Sequence, residues 1–295
     1  MKVYHDALEM VLEHGEEVHD RTGTGTLSHF GHQMRFFLQD GFPAITTKKL
    51  AWKAVVGELI WFLEGSTDER RLAELTYARD RKELIGRGTI WTANADAQGK
   101  ELGYRNHDLY KGLGPVYGAQ WRNFNGDDFG DGVDQIKWLI NEIRTKPDSR
   151  RLILSAWNPT QLEQMALPPC HVSCQFRVYN GRLSCQMYQR SGDMFLGIPF
   201  NIASYSLLTH IIARECNLEV GEFVHTIGDA HIYTNHVAQV YEQLSRSHFK
   251  QPELVIDESF DLMEGLDGKF PLDSASKFTL ENYEHHPAIK APMAV

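Results

Sequence analysis

The sequence predicts an α+β fold in one domain, residues 1–295, with helices packed on a mixed sheet instead of a regular βαβ alternation. Three observations carry this expectation. Helical periodicity recurs in well-separated segments that end at stop signals. Two β-type runs flank Asn180-Gly181, a pair whose residues both tolerate positive φ and so favour a tight hairpin. No internal repeat, low-complexity tract or obvious linker interrupts the 295 residues.

The elements follow in chain order. Residues 2–14 set Val3, Ala7, Leu8, Val11 and Leu12 on one helical face, and Gly15 follows as a stop. Residues 50–64 repeat the pattern with mostly large apolar side chains, which predicts a deeply buried helix ending at Gly65. Glu58 lies inside that apolar run, an unusual place for a carboxylate. Residues 86–132, rich in Gly, Asn and Asp, read as a long loop with short elements, and loops of that length are often functional. Ile136, Leu139, Ile140 and Ile143 mark a third amphipathic helix, closed by Lys146-Pro147-Asp148. A strand is expected over 151–157, the hairpin around Asn180-Gly181, a helix over 202–216 and a strand over 222–227. A helix over 233–245 and short strands near 253–256 and 277–283 complete the reading.

Composition narrows the function classes. Hydrophobic residues at 42% and charged residues at 23% suit an ordinary globular core. No stretch approaches the roughly 18 uninterrupted apolar residues of a spanning helix, and the N-terminal segment has no signal-peptide pattern. A soluble, cytoplasmic protein is expected. The four cysteines include no CxxC pair, so each is by default a small buried apolar residue, and one with a chemical task must be picked out by its neighbours. The net charge of −9 argues against broad adhesion to nucleic acid or anionic membranes, but not against a small anion held by a few arginines.

Several groups of residues bear chemistry. Cys170 lies in Leu167-Pro168-Pro169-Cys170-His171, where two prolines fix its approach. Reactive sulfur needs the thiolate, which a nearby cation favours, and the hairpin would return Arg190 of Gln189-Arg190-Ser191 towards Cys170. Arg21 beside the Gly/Thr loop 22–26, the pair Arg150-Arg151, and Arg190-Ser191 are each surface charges by default; together they suit a phosphate. The loop matches neither GxxxxGK[ST] nor GxGxxG, so no ATP or dinucleotide fingerprint is present. His231 and Tyr233, at an expected strand-to-helix junction, suit hydrogen bonding to a ligand better than a metal, since no HExxH is present. Asn201 would cap the 202–216 helix or read a base through its paired donor and acceptor.

These segments, from Asp20-Arg21-Thr22-Gly23-Thr24-Gly25-Thr26 through Thr46-Thr47-Lys48-Lys49, Gly114-Pro115-Val116-Tyr117-Gly118 and Pro168-Pro169-Cys170-His171 to Gly228-Asp229-Ala230-His231-Ile232-Tyr233, together resemble the folate-dependent thymidylate synthase family. The resemblance spans essentially the whole chain, in order. It implies a single domain on a large mixed sheet, with the sheets of two protomers packed back to back. It implies reductive methylation of dUMP to dTMP, with 5,10-methylenetetrahydrofolate giving both carbon and hydride, and no metal, flavin or nicotinamide.

Residue by residue, Cys170 resembles the nucleophile that adds to C6 of the pyrimidine. Arg21, Gln189, Arg190 and Ser191 resemble dUMP ligands, and Arg150 and Arg151 match positions donated across a homodimer interface. Asn201 is similar to the amide that pairs with uracil, and His231 and Tyr233 to ligands of the sugar hydroxyl. Asp193 matches a residue that orders both substrates, Glu58 the carboxylate that moves protons through water, and Tyr117 the residue implicated in removing the C5 proton. Ile90, Trp91, Asn94, Leu196 and Gly197 correspond to folate contacts, and Val295 to a terminal carboxylate that closes over the site.

Two departures stand out: Thr92 replaces the aspartate usual after Trp91, and the loop 95–112 follows no family pattern. A related dUMP hydroxymethylase, in which water captures the same intermediate, would share Asn201, whereas Trp91 and Val295 follow the methylating pattern. A nucleotide- or RNA-binding regulator is the reading from another class, and the −9 charge weighs against RNA.

Overall fold

The computed structural model describes residues 1–19, 23–127 and 130–292. In chain order its helices are α1 (Lys2–His14), α2 (Trp52–Glu64), α3 (Glu69–Tyr77), α4 (Thr92–Asn94), α5 (Tyr117–Arg122), α6 (Gln135–Thr145), α7 (Ile198–Glu215), α8 (Val237–Leu244) and α9 (Leu262–Asp267). The strands are β1 (Glu16–Val18), β2 (Thr26–Phe37), β3 (Ile153–Ser155), β4 (His171–Tyr179), β5 (Arg182–Asp193), β6 (Glu219–Tyr233), β7 (Glu253–Ile256) and β8 (Phe278–Glu281). The large sheet runs β1-β2-β6-β5-β4-β3, and β7 and β8 form a separate pair. It is a mixed sheet: β5 and β6 are parallel, whereas β2 and β6 are antiparallel. The fold class is therefore the mixed α/β architecture expected. Among the described residues, no helix is long and apolar enough to cross a membrane.

Packing divides the chain into two compact units. The first comprises residues 1–51, 176–255 and 280–295 and is built on β2, β5 and β6. One sheet face buries Met34, Phe36, Cys185, Met187 and Phe223, as the two-residue period of a half-buried strand requires. Phe223 stacks on Phe36 at 6.1 Å, and Tyr205 of α7 stacks on Phe223 at 6.2 Å. The opposite face exposes Phe37 (55%) and Tyr188 (41%), in register through the Gln33–Thr226 and Thr226–Tyr188 pairs. The β4–β5 turn places Asn180 at φ 50° and Gly181 at φ 73°, the two positive values that a primed two-residue turn requires.

The second unit, residues 52–175 and 256–279, packs around α2. Phe62 stacks on Tyr117 at 4.8 Å and meets Trp121 edge-on at 5.5 Å, while Trp61 lies 5.9 Å from Trp91. Gly65 ends α2 at φ 78° with its N–H on the Phe62 carbonyl. Helix α3 has no counterpart in the sequence reading, and neither has β2. Three boundaries also need correction. Helix α7 begins at Ile198 with Pro199 in its first turn, so Asn201 lies inside the helix and is not its cap. Strand β6 extends through Tyr233, so His231 and Tyr233 stand on a strand, and α8 starts only at Val237. The strand expected over 151–157 is confined to Ile153–Ser155.

Phe62 is 1% exposed at the centre of the aromatic cluster. Phe62→Ala is expected to lower unfolding stability by about 3–5 kcal/mol through lost transfer energy and a residual cavity, read from urea unfolding followed by tryptophan fluorescence.

Candidate functional site

The candidate residues fall into two sets, one in each unit. In the second unit, the rigid apolar helix α2 supplies Glu58, and α5 supplies Tyr117. The segment before α4 supplies Ile90 and Trp91, α4 supplies Asn94, and the proline-fixed approach to β4 supplies Cys170. The Trp91 indole Nε1–H donates to Glu58 Oε1 at 2.7 Å. Burial raises the Glu58 carboxyl to about 7, and the Trp91 hydrogen bond, which favours the carboxylate, offsets only part of that rise. A group poised near neutrality can both give and take a proton.

The Tyr117 hydroxyl accepts the Cys170 N–H at 2.7 Å and the His171 N–H at 3.4 Å. It thereby pins the backbone that carries the thiol. Burial, reinforced by the charge of a Cys170 thiolate, pushes the Tyr117 phenol well above its usual range, so it stays protonated. Cys170 is half-buried and in no disulfide, whereas Cys174 and Cys185 are buried in the manner of ordinary core residues. Ile90 is 60% exposed beside the buried Trp91, an apolar side chain on the surface of this set. Arg150 and Arg151 are exposed, and neither takes part in an ion pair among the described residues.

In the first unit, β5, β6 and the start of α7 carry the other set. Gln189 is buried; its Oε1 meets His225 Nε2 at 2.8 Å, and its amide donates to Ser191 O at 3.0 Å and to Asn201 Oδ1 at 3.1 Å. These bonds fix the Asn201 amide with its NH₂ left as a donor and one oxygen lone pair remaining. Asp193 Oδ1 accepts the backbone N–H groups of Phe195 and Leu196 at 2.9 and 3.0 Å, shaping the turn through Gly197 into α7. Arg190 and Ser191 lie partly exposed on β5. His231 pairs with Asp193 across the β5–β6 register and packs edge-on to Tyr233 at 5.2 Å. Its Nδ1 lies 3.5 Å from Asp229; burial pulls the imidazole down, but the neighbouring Asp229 carboxylate, with Asp193, outweighs it and the net shift is upward.

Lys48 received no role from the sequence. It is 5% exposed, donates to the Phe195 carbonyl and lies 3.6 Å over the Phe195 ring. Burial lowers its ammonium to about 7 against the opposing pull of Asp193. The signal was the Thr46-Thr47-Lys48-Lys49 motif itself, two lysines after an apolar run. Arg21 and Val295 lie outside the described residues. Among the described residues, no three His, Cys, Asp or Glu side chains gather as a metal site.

The shifted Glu58 carboxyl, the buried Tyr117 phenol and the Cys170 backbone bonded to it lie together in the second unit, a combination that makes this set the candidate for chemistry. A family model described as thymidylate synthase matches residues 2–295, essentially the whole chain. The chain belongs to the thymidylate synthase family. Membership brings methylation-type chemistry on dUMP in dTMP biosynthesis, with a reduced folate as co-substrate.

The raised Glu58 carboxyl also leaves a mark on stability. Between pH 4.5 and about 7 the folded protein keeps a proton that the unfolded chain has released, so this contribution is complete below pH 4.5 and lost as pH rises through 7. Glu58→Gln is therefore expected to be more stable than the parent at pH 8, by on the order of 2–3 kcal/mol. The gap should close near pH 4, as read by urea unfolding at both values.

Proposed function

We propose that this chain is a thymidylate synthase that converts dUMP to dTMP, with 5,10-methylenetetrahydrofolate as co-substrate and Cys170 as nucleophile. The observation that carries the reading is the pairing of Cys170 with Tyr117 and of Trp91 with Glu58 on one unit: a cysteine held by its backbone N–H, and a carboxyl that ionises near neutrality. A uracil ring does not attack carbon unaided. Addition of the Cys170 thiolate to C6 makes C5 an enolate carbon that can. Glu58, as the carboxylate, takes up the C5 proton through water, while the neutral Tyr117 hydroxyl, whose oxygen holds the cysteine backbone, has its O–H free to orient that water.

Asn201, oriented by Gln189, offers its NH₂ to the uracil carbonyl and its oxygen to the ring N–H, a pattern opposite to the one cytosine presents. Arg190, Ser191 and Arg21 take the phosphate, and His231 and Tyr233 take the sugar hydroxyl. The folate supplies the one-carbon unit and the hydride. Ile90, Trp91, Asn94, Asp193, Leu196 and Gly197 hold it, and the exposed apolar surface of Ile90 suits a flat heterocycle. Val295 closes the site against water.

The working form is a homodimer formed through the uncovered sheet face. Phe37 and Tyr188 stand exposed there, as expected of an association surface. Arg150 and Arg151, exposed and in no ion pair among the described residues, reach the partner's nucleotide phosphate. The whole chain acts as one catalytic domain, in the cytoplasm.

Mass spectrometry of the nucleotide product, with dihydrofolate followed by absorbance, tests the reading. A product heavier by CH₂, formed in step with dihydrofolate, is expected, and Cys170→Ser should lose at least about 10³-fold in kcat while still binding dUMP. A product heavier by CH₂O without dihydrofolate would replace methylation by hydroxymethylation. Unchanged dUMP from folded dimer, with Cys170→Ser indistinguishable from the parent, would remove both.

A further inference from the structure

Thr92 stands where the resemblance expects an aspartate, and its surroundings explain the exchange. Its hydroxyl donates to Glu69 Oε1 at 2.6 Å and accepts the Thr89 N–H at 2.7 Å. The Thr89 hydroxyl donates to the same Oε1 at 2.7 Å and accepts the Trp91 N–H at 3.2 Å. Glu69 itself is 0% exposed and is bound through two bonds of 2.6 Å to the guanidinium of Arg70. Arg70 Nη1 continues to the carbonyls of Leu84 at 3.2 Å and Arg87 at 2.9 Å. One buried ion pair thus ties down both ends of the segment 84–92. A second carboxylate at position 92 would lie within hydrogen-bond reach of Oε1, where two like charges cannot both ionise.

Buried ion pairs give little net stability, because desolvation consumes most of their attraction. What this one does is geometric. The segment it clamps carries Trp91, and the Trp91 indole is the hydrogen-bond donor to Glu58. We infer that Glu69 is a positioning residue for the reaction: acting through Thr89 and Thr92, it fixes the Trp91 indole N–H against the Glu58 carboxyl. The inference deepens, and rests on, the proton-transfer role proposed for Glu58.

Among the described residues, Trp91 and Tyr117 are the groups that interact electrostatically with Glu58. Trp91 comes from the clamped segment, and Tyr117 comes from α5 with Cys170 behind it. Tyr117 is held neutral, and besides burial Trp91 is the group that acts on Glu58. A loosened indole withdraws a donor that favours the carboxylate, so the Glu58 midpoint should move upward.

The test is a titration of the ¹³C-labelled Glu58 carboxyl in ligand-free protein, assigned by its loss in Glu58→Gln. Thr92→Val removes the hydroxyl but keeps the Glu69–Arg70 pair. It is expected to raise the midpoint by at least about half a pH unit, and to lower kcat at neutral pH about tenfold with KM for dUMP nearly unchanged. Thr89→Val should give the same shift, and Thr92→Ser should restore both readouts. Folded Thr92→Val and Thr89→Val proteins that titrate at the parent's pH, with the parent's indole near-ultraviolet signal, would overturn the inference while leaving the proposed reaction intact. A midpoint that moves in Thr92→Val and Thr89→Val, from a parent protein that does not turn over dUMP, would support the clamp and remove the reaction.

Discussion

The hydrogen bond from the Trp91 indole to Glu58 is the constraint on which the second unit turns. A carboxyl inside an apolar helix must find a donor or stay neutral, and here it finds one donor and is left near the midpoint. That balance needs a fixed indole, which in turn needs a fixed backbone between residues 84 and 92. The buried Glu69–Arg70 pair provides it. The aromatic contacts among Trp61, Phe62, Trp91 and Tyr117 supply the dry surroundings that raise the carboxyl in the first place.

The first unit solves a different problem, that of holding polar side chains in set orientations. Gln189 joins His225 on β6 to Asn201 on α7, so sheet and helix together orient one amide. Asp193 spends one oxygen on two backbone donors and turns the chain into α7, whose packing on Phe223 keeps the helix start in place. Function is thus distributed. Ionisation is tuned around α2, and hydrogen-bond direction is set around β5 and β6.

Much of this was legible in the sequence, and the failures have physical causes. Helix α2 announced itself through its apolar run, and Glu58 through its intrusion into that run. The hairpin followed from Asn180-Gly181, whose positive φ values the structure bears out. Helix α3 went unread because its buried residues include Glu69, Arg70, Arg71 and Glu74, which pair among themselves and with neighbours and so carry no apolar period. The same charges concealed the clamp on Trp91. Strand β2 alternates clearly only in its last residues, around Met34 and Phe36, and its first half is polar and partly exposed. Of the two roles the sequence leaves open for Asn201, the cap fails because α7 already begins at Ile198, with Pro199 in its first turn. The family resemblance named Trp91 and Glu58 separately; their bond at 2.7 Å needed coordinates.

The central claim is that Cys170, among four cysteines, forms a bond to the pyrimidine. Intact-mass and peptide analysis after denaturing the protein in the presence of methylenetetrahydrofolate and a dUMP analogue fluorinated at C5 tests it directly, since fluorine cannot leave as a proton does and the adduct accumulates. The account predicts one nucleotide per chain, on the peptide containing Cys170. An adduct on Cys174, Cys185 or Cys216, or a chain that binds the analogue and releases it unmodified on denaturation, would contradict it.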